Sequence, residues 1–160
     1  MLVLFFAVNL TAQQTHKNYQ KEYEILNIGL DFLEIENVYI RIIPLNPKLV
    51  KDAFRKGVQL RGHIKGLGNQ YSLQISHVKG LFGKLFILSH ELIHLEQMHT
   101  GKLVYLTNNS IEFDGKIYKN IEKMDYDSRP WENEAHEKGE LLMYKISKQI
   151  KLNTKKPLTN

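Results

Sequence analysis

A chain of 160 residues that is 42% hydrophobic and 24% charged has enough apolar surface for one packed domain, which excludes a disordered or fibrous polypeptide. With no cysteine it can form no disulfide framework, thiolate metal site, iron–sulfur centre or thiol nucleophile, so any metal must be held by His, Asp or Glu. The net charge of +5 permits acidic partners, but Lys and Arg are dispersed along the chain and give no firm sign of nucleic-acid binding.

Residues 1–17 open on an apolar run, Leu2–Val8, too short for a transmembrane span, which takes about 20 residues. The run reads either as the core of a truncated signal peptide or as an N-terminal strand. No Lys or Arg precedes it, and Leu10 is bulky for the third position before a cut after Ala12. Export and a cytoplasmic location both stay open.

Tyr19, Tyr23, Leu26, Leu30 and Leu33 recur at spacings of four and three, predicting an amphipathic helix over about 18–35. Val38–Ile43, closed by Pro44, predicts a strand, and Pro47–Lys56 a short helix ending at Gly57. Alternation at Val58, Leu60, Gly62 and Ile64, and again at Tyr71, Leu73 and Ile75, flanks the turn signal Gly66–Asn69. A hairpin of 58–65 with 70–77 follows. Leu81–His99 is densely apolar at helical spacing and is followed by Gly101. Lys102–Leu106 and Ile111–Tyr118 look like strands, the second with a tight-turn signal at Asp114-Gly115. Asp127 or Ser128 caps a last helix with Pro130 in its first turn, and Trp131, Ala135, Leu142 and Ile146 form its core face. The polar tail from Lys151 is expected to fray. The class is α+β, with one domain over 18–152 and a tail at 153–160.

The helix over 81–99 carries His90-Glu91-Leu92-Ile93-His94, an H-E-x-x-H motif in its proper context. Residues i and i+4 lie one above the other on a helix, so two imidazoles there can reach one cation. Glu91 is turned by about 100° and can face a metal-bound water as general base. Random shuffling of this composition yields about 0.02 such motifs. A catalytic zinc site usually has three protein ligands and a water. Candidates for the third are His99, Asp125, Asp127, Glu132, Glu134, His136 and Glu137. His99 falls off the shared face. On the last helix Glu132 and Glu134 flank the core stripe on opposite sides, and either can reach inward.

HELIHLEQ, followed by a short hairpin and then RPWENEAH on a helix, resembles a minimal gluzincin-type zinc metallopeptidase. Glu132–Ala135 with Leu141-Leu142-Met143 beyond is also similar to the IrrE-type peptidases, in which the ligand is the Glu directly before Ala. The resemblance covers about 70–150. It implies a zincin-like fold, with a small mixed or antiparallel sheet packed on the H-E-x-x-H helix and a C-terminal glutamate helix. It also implies one Zn²⁺ per chain held by His90, His94 and Glu134, with Glu91 as general base and a peptide or protein as substrate. Tyr126, Tyr118 and His136 are the candidates to stabilise an oxyanion, and the strand at 70–77 is the candidate edge for an extended peptide. Thermolysin-like glutamate helices carry an Asp four residues after the ligand, where this chain has Lys138, so another acceptor must orient the zinc histidine.

His16, His63 and His77 receive no role, and Gly66-x-Gly68 lacks the strand-loop-helix setting of a nucleotide loop. Two other functions compete with the peptidase. One is a zincin-fold binding module that hydrolyses little, and the other is a DNA-associated protease of the SprT type that uses the positive charge. Glu91 favours an enzyme, because a pseudoenzyme often lacks the base. Oligomeric state and cleavage preference leave no trace in the sequence.

Overall fold

The computed structural model describes residues 19–55, 60–107 and 109–155. The apolar run at the start of the chain and residues 156–160 lie outside the described residues. The elements run α1 (Gln20–Phe32), β1 (Tyr39–Pro44), α2 (Pro47–Arg55), β2 (Gly62–Leu67), β3 (Gln70–Ile75), α3 (Leu81–His99), β4 (Leu103–Leu106), β5 (Ser110–Phe113), β6 (Lys116–Lys119), two 3-10 turns (Ile121–Lys123 and Tyr126–Ser128) and α4 (Pro130–Lys155). This is an α+β architecture. Among the described residues no helix is long and apolar enough to cross a membrane.

Helix α3 forms the spine. It is apolar nearly all round, as a helix packed on several sides must be, and Leu85, Leu88, Leu92 and Leu95 are at most 3% exposed. Ile25 and Leu26 of α1, Ile64 of β2, Leu73 of β3, and Ala135, Leu142 and Ile146 of α4 close the same core. The termination of α1 needs no glycine. Glu34 takes φ 56°, and the Ile35 amide donates to the Leu30 carbonyl at 3.1 Å. That is the capping pattern of a Schellman motif, and it drops Ile35 into the core.

The first sheet has the order β1-β3-β2, with β1 parallel and β2 antiparallel to β3. The expected hairpin is present, paired Leu67 with Gln70, but its second strand is not an edge. β3 is bonded on both sides because β1, from before α2, adds alongside it. The edges are β1 and β2, and β2 lies against α3.

The second sheet, β4-β5-β6, is a meander. The strand expected over 111–118 is two strands, because Asp114 and Gly115 both take positive φ (54° and 76°) and reverse the chain. Leu103, Ile111 and Phe113 of this meander pack with Trp131 into a second, smaller core. Trp131 is thereby pinned at the start of α4. At its other end α4 does not fray at Lys151: Ile150 is buried and the helix runs on to Lys155.

Gly139 brings α4 onto α3. A Cβ there would lie 3.3 Å from His90 Cα and 3.4 Å from His90 N, a tight approach in which the facing backbone would have to give by a few tenths of an ångström.

Candidate metal centre

His90 and His94 stand one turn apart on α3, and their Nε2 atoms are 3.1 Å from each other. Glu132, in the first turn of α4, reaches between them. Its Oε2 lies 3.4 Å from His90 Nε2 and 3.2 Å from His94 Nε2. Two donors on a tetrahedral zinc with bonds of 2.0–2.1 Å sit about 3.3 Å apart, so these spacings fit that donor set. Among the described residues this is the group of His and acidic side chains whose ligand atoms converge within 4.8 Å. Two imidazole nitrogens and one carboxylate oxygen are the chemistry zinc accepts in catalytic sites.

Glu134, expected from the resemblance to be the third ligand, is not brought to the histidines. It sits two residues beyond Glu132, on the opposite flank of the core stripe of α4. There its Oε1 accepts from Lys102 Nζ at 2.9 Å and Lys138 Nζ at 2.8 Å, and its Oε2 accepts from Gln97 Nε2 at 3.1 Å. Both flanks of α4 meet α3, but Glu132 meets it at His90 and His94, whereas Glu134 meets it at Gln97, one turn farther on.

Most polar groups around the three side chains are paired, but His90 Nδ1 is buried and finds no hydrogen-bond partner among the described residues. Tyr126 donates its hydroxyl to Glu132 Oε2 at 2.6 Å. Burial opposes the charge on Glu132, yet the bonds from His90, His94 and Tyr126 hold its carboxyl well below the usual range. Burial would likewise lower His94, but Glu132, Glu91 and Gln97 outweigh it and push the imidazole up. His90 goes down, chiefly through burial. The ring of His136 lies over it, centroids 4.7 Å apart.

Glu91 is buried at 6% exposure, and burial pushes its carboxyl up to about 7, against the opposing pull of His94. A base with that affinity for protons is matched to work near neutrality. The three side chains of the motif border a cavity of about 620 Å³, which is also lined by Gly62 and His63 of β2, Tyr105 of β4, and Tyr126, Glu132 and His136. Of the oxyanion candidates, Tyr126 and His136 reach this cavity. Tyr118 instead packs on Trp131, ring centroids 5.5 Å apart, in the second core. Tyr105 is 54% exposed as a whole, but desolvation of its hydroxyl at the cavity, with Glu132 and Glu91 adding to it, pushes that group up to about 12.

His63, Tyr105 and Gln97 were not singled out by the sequence. The first two come from locally paired strands whose packing beside α3 and α4 is long-range and leaves no mark in the sequence. Gln97 did carry a signal, being a polar residue one turn beyond His94 on an otherwise apolar helix. It is 1% exposed, with Oε1 2.9 Å from His94 Nδ1. His99, Asp125 and Glu137 are exposed and outside the group, and Asp127 lines the cavity without joining it. No protein-family model, curated protein or solved structure matches the chain.

Proposed function

We propose that the protein is a zinc-dependent metallopeptidase with a zincin-like fold, in which His90, His94 and Glu132 hold the metal and Glu91 is the general base. The observation that carries this reading is the convergence of two imidazoles and a carboxylate from two helices beside a buried glutamate. When bound, zinc supplies a Lewis acid that polarises a scissile carbonyl and brings the pKa of a water toward 7. Glu91 takes the proton of the attacking water and returns it to the leaving amine. Strand β2 has a strand neighbour on one side only and lines the cavity, so an extended peptide would run along it there, beside the Ile64 backbone group that bonds Glu91. The open wall formed by Phe86, Tyr105 and His63 suits a flexible polypeptide.

Metal analysis and a peptide library test the reading together. Wild type is expected to carry about one zinc per chain and to cleave peptides. Glu132→Ala loses the metal. Glu91→Gln keeps the metal and loses at least about 100-fold in turnover. Equal cleavage by wild type and Glu91→Gln refutes the mechanism.

A further inference from the structure

Gln97 belongs to none of the steps above, yet it is a buried amide with every hydrogen-bonding group engaged. Its Nε2 donates to the Trp131 carbonyl at 3.0 Å and to Glu134 Oε2 at 3.1 Å. A carbonyl and a carboxylate can only accept, so both amide hydrogens point to α4. The amide oxygen must then face His94 Nδ1, 2.9 Å away. Turning the amide round would set its oxygen against two acceptors and lose both bonds. An oxygen that can only accept requires a hydrogen on Nδ1, so in the neutral ring, the form that binds a metal, the lone pair is on Nε2 and faces His90 and Glu132. At 1% exposure Gln97 has no water to replace it.

We propose that Gln97 is a positioning residue that holds His94 in its Nδ1–H, metal-ready form, and that Glu134, clamped by Lys102 and Lys138, holds Gln97 in the required orientation. Glu134 therefore acts two bonds away from the metal rather than on it. Its charge is matched from outside by two lysines, at 2.9 and 2.8 Å. The same amide fixes the height of α4 against α3, because the carbonyl it grips belongs to Trp131, the residue before Glu132. One side chain thus aligns ligands on both helices. The proposal rests on reading His90, His94 and Glu132 as a zinc site.

The test uses full-length protein, with zinc affinity measured by competition against a chromophoric chelator and imidazole N–H signals read by NMR on the zinc-loaded form. Wild type should show a slowly exchanging Nδ1–H at His94. Gln97→Leu should weaken zinc by about 10–100-fold, the usual cost of losing such a partner, and lose that protected signal. Glu134→Leu should weaken zinc by about 3–10-fold, the worth of one hydrogen bond. Glu134→Gln keeps an acceptor oxygen and should stay within about twofold of wild type. If Gln97→Leu does not fold, the partly exposed Glu134 pair decides the matter alone. Unchanged affinity in Gln97→Leu or in Glu134→Leu overturns the relay while leaving the metal centre standing. Loss of all binding in both Glu134 variants would make Glu134 a ligand and overturn it too. A wild type that binds no zinc removes the metal centre itself.

Discussion

The carboxylate of Glu91 owes its place to a missing side chain. A Cβ on Gly62 would stand 2.6 Å from Glu91 Oε1 and 2.8 Å from Ile87 Cγ2. Gly62→Ala should therefore displace the base without touching the metal donors. The expected result is unchanged zinc content, a stability loss of about 1–3 kcal/mol and a fall of about 100-fold in peptide turnover, read by metal analysis, denaturation and kinetics. Glu134 makes a separate prediction. Burial opposes its charge, but Lys102, Lys138 and Gln97 hold its carboxyl below the ordinary 4.5. A depressed carboxyl stabilises the fold above its unfolded pKa and loses that contribution as the pH falls through its folded pKa. The stability gap between wild type and Glu134→Gln should thus be full at neutral pH and shrink below about pH 4.5. His90, Glu91 and His94 were legible in the sequence because their spacing and their helix are local facts. The choice between Glu132 and Glu134 was not, since it depends on how α4 lies across α3, and that is set by Gly139 against His90 and by Trp131 in the second core.

At the level of elements, α3 holds both the core and two of the three candidate ligands, His90 and His94. Leu92 lies between the two histidines and is fully buried. Leu92→Ala should cost about 2–5 kcal/mol in denaturant unfolding and weaken zinc through the same loosened helix. The span of α3, 81–99, was readable from its apolar density and from Gly101 beyond it. The helix expected over 18–35 is shorter, 20–32, because Glu34 adopts a left-handed turn that its residue type does not advertise. The hairpin of β2 and β3 was legible from alternation around Gly66–Asn69. Which of its strands forms the edge was not. That depends on β1, which returns in parallel from across α2, a long-range pairing without a local mark. The strand over 111–118 divides where Asp114-Gly115 made a reversal the cheapest path. The polar tail stays helical to Lys155 because Ile146 and Ile150 continue the buried stripe of α4.

Across the whole molecule, two cores meet at the ends of α3 and α4. The larger surrounds α3, and the smaller locks Trp131 beside the start of α4. The proposed ion would sit at that junction. The α+β class could be read from the order of periodic segments, but the junction required contacts between residues roughly 40 apart. Zinc K-edge absorption of the metal-loaded protein reads the donor set of His90, His94 and Glu132 itself. The expected result is one zinc per chain in a four-coordinate N/O shell with two imidazoles at about 2.0–2.1 Å, reduced to weak or absent binding in Glu132→Ala. A shell without imidazole, or one left intact by Glu132→Ala, would contradict it.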